Sequence, residues 1–301
     1  MGIYTSSNIF NRELPFLDVA LKDPQAWWRE LLSLWRPAGT PSGELGLRLA
    51  IRNGYLNLYR KGQSVAQVRQ NSAGQLQWIL HRKYLENSED DDLDAGSLYR
   101  SAPADVQLSK WVKAAEGKAG AEKKAIDEIL DHDDNVIDLE MGLPAGGDQK
   151  SAFRIDMVSL EHIDADTTRL MFWEVKTFDD ARIRTRGALP ADSGILGQVD
   201  RYRKFLSDPV RASQVRSAYQ RCATLLVLLA RSINAEDRLG AELRALAGGK
   251  TLVLADQPGL LVALPTRELP ERSKAAWDVH RQKLLDAGMK LRIESVQSLI
   301  N

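Results

Sequence analysis

The residues of this 301-residue chain best suited to chemistry stand between Phe153 and Lys176. Asp156 is set in Phe153-Arg154-Ile155-Asp156-Met157-Val158. Eighteen positions after it, an apolar run, Met171-Phe172-Trp173, ends in Glu174-Val175-Lys176. Two carboxylates followed by an ammonium group are what a site needs to hold Mg²⁺ and set a lysine beside it. Mg²⁺ is a hard ion that takes oxygen ligands octahedrally, keeps several waters, and rests on one or two carboxylates plus a substrate phosphate. Held there, it polarises a phosphoryl oxygen and lowers the pKa of a coordinated water. A lysine on the same face orients that water, helps to deprotonate it if its own pKa is depressed, or stabilises charge building on phosphorus. Taken alone, Glu-x-Lys more often marks an ordinary solvated strand end, so the surrounding elements decide.

Both runs read as β-strands, because bulky and β-branched residues alternate with polar ones. Side chains two apart in a strand share a face, so Glu174 and Lys176 point one way and Trp173 and Val175 the other. The polar stretch from Glu161 to Arg169 suits the turn of an antiparallel hairpin, which can bring Asp156 beside Glu174. Gly194 to Leu206 reads as a helix opened by Asp192-Ser193 as N-cap. Ile195, Val199, Tyr202 and Leu206 make its inward face, with Gln198 one turn before Tyr202. An amide and a phenol so placed can bracket a phosphate and steady the lysine; a buried tyrosine with an incidental glutamine is the plainer account. Leu108 to Leu130 reads as a helix with Ala115, Ala119, Ile126 and Ile129 on one stripe. Glu122 falls inside that stripe, where a carboxylate is costly unless a metal or a lysine meets it; a partly exposed edge position would remove the need. A strand follows from Asn135 to Met141, with Ile137, Leu139 and Met141 buried and Asp138 and Glu140 on a polar face.

The order of these segments (helix with Glu122, strand with Asp138 and Glu140, strand with Asp156, strand with Glu174 and Lys176, helix with Gln198 and Tyr202) resembles the PD-(D/E)xK, or restriction-endonuclease-like, nuclease superfamily. The Gln-x-x-x-Tyr helix is similar to that of its RecB-type and lambda-exonuclease-like branch. The resemblance runs from near Leu108 to near Leu206. It implies an α/β fold with a three-layer core, a central mixed sheet flanked by helices. It also implies metal ligands at Asp156 and Glu174, a catalytic Lys176, an acidic helix residue at Glu122 that completes the metal-binding cluster, and Gln198 and Tyr202 near the scissile phosphate. Ile155 stands where the motif's name has proline, a change that removes no ligand. The implied activity is Mg²⁺-dependent hydrolysis of phosphodiester bonds, in DNA foremost, with Mn²⁺ as a substitute ion. A place in genome defence or repair follows only by analogy. The alternative is a nuclease-like domain that binds nucleic acid or a protein partner without cutting; the complete set Asp156, Glu174 and Lys176 argues against it.

Forty-one basic residues against 41 acidic ones leave no net charge. That excludes a globally basic nucleic-acid binder and confines such binding to a local patch. Arg182, Arg184 and Arg186 after Lys176, and Arg201, Arg203 and Lys204 on the Gln198 helix, are the candidates to neutralise phosphates. The single cysteine, Cys222, excludes an internal disulfide framework and fits a reducing compartment. No charged start followed by an apolar run reads as a signal peptide. The longest apolar run, Ala223 to Ala230 broken only by Thr224, falls far below the roughly 20 residues of a membrane helix. The four histidines lack zinc-ligand spacing. The expectation is a cytoplasmic protein without a membrane partner.

The acidic block from Ser88 to Asp94 reads as a solvated linker. It separates an α+β module over residues 1–100 from a nuclease-like domain over 101–301. The module opens with a helix around Trp27, Trp28 and Trp35. Strands at 47–52 and 54–59 follow, joined by the hairpin signal Asn53-Gly54, then strands at 64–68 and 76–80. It carries no catalytic constellation, and is expected to select substrate, hold a protein partner or form a homo-oligomer. After Leu206, helices to Arg231 and over 235–247, strands at 251–255 and 259–264, a helix at 272–287 and a strand at 290–293 are expected to extend and cover the nuclease sheet.

Overall fold

The computed structural model describes residues 10–22, 26–81, 84, 99–101, 108–143, 153–183 and 194–299. Their strands form two sheets. The first is antiparallel, in the order β1 (Arg48–Arg52), β2 (Tyr55–Arg60), β3 (Gln63–Gln70), β4 (Leu76–His81) and β5 (Tyr99–Ser101). Asn53-Gly54 makes the β1–β2 turn, with Gly54 at φ 81°, a left-handed conformation that only glycine adopts without steric cost. Helices α1 (Leu17–Lys22) and α2 (Ala26–Ser33) precede the sheet and bury Leu17, Trp28, Leu31 and Leu32 with Leu56 and Leu58 of β2. The acidic block 88–94 and the cap residues Asp192 and Ser193 lie outside the described residues.

The second sheet is mixed. Its order is β11 (Leu291–Val296), β10 (Gly259–Pro265), β8 (Thr167–Thr177), β7 (Phe153–His162) and β6 (Val136–Leu143). Strands β6, β7 and β8 form an antiparallel meander. On the other edge of the long β8, two parallel strands divide its length: β9 (Thr251–Leu254) pairs with Thr167–Leu170 and β10 with Trp173–Thr177. Helices pack on both faces. On one face α4 (Ala121–Leu130) lays Ala125, Ile126 and Ile129 against Met157, Met171, Trp173 and Val175. On the other, α5 (Gly194–Leu206), α6 (Pro209–Ser232) and α7 (Ala241–Ala247) cover Val158, Leu160, Leu170 and Phe172. Helix α8 (Glu271–Asp286) closes the same face over Leu260 and Val262. The chain is therefore α/β, with helices about a mixed sheet and a separate antiparallel sheet. Full burial of each such aliphatic or aromatic side chain is worth about 1.5–3 kcal/mol. Among the described residues, no helix is long and apolar enough to cross a membrane.

Two expectations fail. The single helix over 108–130 is two: α3 (Leu108–Glu116) and α4, parted by Gly117-Lys118-Ala119-Gly120. Glycines carry the largest entropic cost in a helix, and the break frees α3 to turn toward the first sheet, where Trp111 meets Trp78 edge-on at 6.1 Å. The alternation read for β6 also breaks. A register shift between Val136 and Asp138 sends Ile137 and Met141 into one core and Val136 and Leu139 into the other. Asp138, placed on a polar face by alternation, is buried. Its Oδ1 accepts from Arg52 Nη1 at 2.7 Å, and its Oδ2 from Tyr219 at 2.9 Å and Arg12 at 3.4 Å. A second ionic knot ties Arg48 to Asp131 at 2.5 Å and to Asp127 at 3.5 Å, with Lys61 3.1 Å from Asp127. These contacts, and one apolar core that includes Leu49, Ile51, Ile137 and Val158, bind the first sheet to the second.

Candidate active site

The β7–β8 register makes the site. Met157 pairs with Trp173, so the next positions, Asp156 and Glu174, fall side by side. The backbone turns at Asp156, because Ile155 and Met157 face opposite cores although only two residues apart. On the neighbouring β6 the partner position is Glu140, between the pairs Leu139–Met157 and Met141–Ile155, with a left-handed φ of 50°. Thus aimed, the Asp156 carboxylate accepts the Val175 N–H at 2.8 Å. Glu174 and Lys176 share the face of Phe172, beneath α5.

Lys176 lies at the centre, only 1% exposed. Its Nζ is 2.6 Å from Glu174 Oε1, 3.1 Å from Glu122 Oε2 and 3.5 Å from Asp156 Oδ2, and it donates to the Val175 carbonyl at 2.5 Å. Glu122 sits in the first turn of α4, where the helix dipole favours a carboxylate. The cluster opens to solvent on this side: the Glu122 side chain is 29% exposed, against 2% for Glu174. On α5, Tyr202 places its hydroxyl 3.2 Å from Glu174 Oε2 and 2.5 Å from the Arg154 carbonyl, so its one proton serves two acceptors. Gln198 Nε2 donates to that hydroxyl at 3.0 Å. All six residues singled out in the sequence therefore meet in one place.

Burial first, and then the Glu174 charge, pushes the Asp156 carboxyl up to about 8, even with Lys176 and the Val175 N–H pulling it down. Burial also raises Glu174, opposed by Lys176 and by the Tyr202 hydrogen bond. For Lys176, burial works against the charge, but Asp156, Glu174 and Glu122 outweigh it and the ammonium is held above its ordinary range. The role of a depressed, water-deprotonating lysine therefore does not fit this arrangement; Lys176 is a fixed positive charge. Burial and the Glu174 charge drive the Tyr202 phenol far upward, which keeps it a donor.

Of the basic candidates, Arg182 reaches the mouth of the cluster, 3.3 Å from Glu122 Oε2, held by Asp180 at 2.6 Å. Arg184 and Arg186 lie outside the described residues. Arg201 is half-buried on α5. Arg203 and Lys204 are not brought to the site: both bind Asp200 at 2.7 Å on the outer side of α5. Asp180 was missed in the sequence, although a carboxylate two residues before Arg182 was the available signal. Asp138 takes no part in the cluster. Glu140 stands at its border, 3.5 Å from Lys123 and 3.7 Å from Arg154.

Among the described residues, no three His, Cys, Asp or Glu side chains are gathered closely enough to enclose a metal between them. The oxygen donors nonetheless suit Mg²⁺. Carboxylate oxygens of Asp156, Glu174 and Glu122 and the Val175 carbonyl surround a positive charge, here the Lys176 ammonium. An ion that keeps most of its waters needs only one or two of those carboxylates. No protein-family model, curated protein or solved structure matches this chain.

Proposed function

We propose that this protein is a Mg²⁺-dependent nuclease with a restriction-endonuclease-like, PD-(D/E)xK core, hydrolysing phosphodiester bonds in DNA. The observation that carries this reading is the convergence of Glu122, Asp156, Glu174, Lys176, Gln198 and Tyr202, drawn from two helices and two strands, on one half-open ionic cluster. Asp156 and Glu174 would hold the ion, with Glu122 and the Val175 carbonyl as further oxygen donors. When bound, Mg²⁺ supplies Lewis acidity and a water of lowered pKa. Lys176 keeps its proton and hydrogen-bonds the phosphoryl oxygens as negative charge grows on them, a form of stabilisation worth most in a site screened from water. Tyr202 holds Glu174 in its rotamer, and Gln198 holds Tyr202. Arg182, at the open side, meets a neighbouring phosphate.

The test is cleavage of supercoiled plasmid, linear duplex and single-stranded DNA with Mg²⁺, Mn²⁺ or EDTA, beside the variant Asp156→Asn. Cutting that requires the metal and disappears in the variant is the expected result. Failure to cut every substrate overturns the reading. One observation favours the non-cleaving alternative: Lys176 already pairs with Glu174 and Glu122 without an ion. Metal-independent DNA binding with no cutting would establish that alternative instead.

A further inference from the structure

A larger concavity adjoins the carboxylate cluster. Leu56 and Leu58 of β2 face the core, while Tyr55, Asn57 and Tyr59 on the opposite face look across to β6, β7 and α4. Between them lies a cleft of about 600 Å³. Its lining includes the cations Arg12, Arg52, Lys123 and Arg154 against one carboxylate, Glu140. Arg12 and Arg52 are engaged from behind by Asp138. With Asp138 also counted, the wall keeps a positive balance.

Three positions join this cleft to the cluster. Lys123 directly follows Glu122, which contacts Lys176. The Arg154 carbonyl accepts the Tyr202 hydroxyl that also meets Glu174, while the Arg154 side chain is 72% exposed and lines the cleft. Glu140 stands across from Asp156 in the β6–β7 ladder. The cleft and the ionic cluster therefore share a border along β6, β7 and the first turn of α4.

We infer that the cleft binds a single strand of nucleic acid and leads its backbone to Lys176, which makes the first sheet one wall of the substrate site. The choice of ligand rests on the nuclease reading. The lining is polar and cationic, which selects against an apolar ligand. The volume falls in the range of small-ligand clefts, roughly 300–1,000 Å³, which suits a few nucleotides of one strand and is too small to enclose a duplex. Non-specific single-strand sites combine a positive groove for phosphates with aromatic faces for bases. Here Lys123 and Arg154, which flank Glu140 at 3.5 and 3.7 Å and outnumber it, supply the first, and Tyr55, half-buried on the cleft wall, supplies the second.

The experiment is fluorescence anisotropy of a labelled single-stranded oligodeoxynucleotide, and of a duplex of equal length, titrated with full-length protein in EDTA over a series of salt concentrations. The single strand is expected to bind more tightly. The double variant Lys123→Gln, Arg154→Gln should bind it more weakly and lower the log–log salt slope by about 1.4, at about 0.7 per phosphate contact on a single strand. Tyr55→Ala should weaken binding roughly 5- to 150-fold through lost base stacking. Lys274→Gln, on the exposed side of α8, serves as the control and leaves affinity unchanged. Thermal melts establish that each variant is folded. Wild-type affinity and salt slope in the double variant, or a duplex bound as tightly as the single strand, overturns the inference. Asp156→Asn separates the two claims. If no form of the protein cuts but the cleft variants lose binding, the nuclease reading fails alone. If the wild type cuts and the cleft variants bind and cut like it, the cleft inference fails alone.

Discussion

Replacing Lys176 with methionine keeps an unbranched chain in the site and removes the charge that Asp156, Glu174 and Glu122 share. Lys176 and Glu174 are 1% and 2% exposed, so water cannot take over the role of counter-ion. Breaking a buried ion pair from one side costs roughly 3–5 kcal/mol if the remaining group stays charged. A carboxylate has a cheaper course, which is to bind a proton. In the wild type, burial and Glu174 already push Asp156 up to about 8, and burial raises Glu174. Loss of Lys176, which pulls both downward, leaves the pair holding one further proton. A carboxyl group whose folded pKa lies above its unfolded value stabilises the fold at low pH and loses that contribution as pH rises toward the folded pKa. One extra retained proton is worth about 1.4 kcal/mol per pH unit. The stability gap between variant and wild type should therefore widen by about 2.7 kcal/mol between about pH 5 and about pH 7. At about 2–4 °C per kcal/mol, this is a further drop in Tm of roughly 5–10 °C. Circular-dichroism melts at the two pH values measure it, and added Mg²⁺ should restore part of the loss by supplying the missing charge. DNA cleavage by the folded variant should fall roughly 10²–10³-fold. A gap that stays constant with pH, or narrows toward neutrality, would refute the claim that Lys176 keeps a further proton off this pair of acids.

Tyr202→Phe leaves Glu174 Oε2 and the Arg154 carbonyl without the phenolic donor, and should cost about 1–3 kcal/mol in urea denaturation. Its cleavage rate should fall with little change in KM, since the tyrosine acts through Glu174 rather than on the substrate. Arg52→Met strips Asp138 of its shortest partner and should lower stability by roughly 3–5 kcal/mol. The companion change Asp138→Leu should recover only part of that loss, because it removes the unpaired carboxylate but leaves Arg12 and Tyr219 without their shared acceptor. A double variant no more stable than the single one would show that the pair is not the cause.

The hairpin that carries the cluster was legible because its cues are local. Ile155 and Val175 alternate with polar neighbours, a polar turn joins the strands, and the resulting register fixes Asp156 beside Glu174. The stripe Ile195, Val199, Tyr202 and Leu206 was legible for the same reason, and all four are buried. Asp138 was not, because alternation carries no sign of an arginine 86 positions upstream. The break before α4 did have a signal in Gly117 and Gly120, which a periodicity count over Ala115, Ala119, Ile126 and Ile129 passes over. Arg203 and Lys204 were open to a better reading. Asp200 precedes them by three and four residues, the spacing at which helical ion pairs form. The charge state of Lys176 lay out of reach, since it depends on how three acids from separate elements close around one nitrogen.

The ionic knots between the two sheets also set a timetable for synthesis. Arg48 and Arg52 find their acids 79 and 86 residues further along the chain. At a ribosomal rate of ~5–20 residues per second, these two arginines of the first sheet wait about 4–17 s after their own synthesis for those partners. During that interval Arg48 and Arg52 lack the acids that pair with them in the fold, and burying a lone charge is strongly unfavourable. The first sheet therefore waits, hydrated and unsealed, until α4 and β6 emerge. The sheet that is born first thus closes only on the segment made after it, α4 and β6.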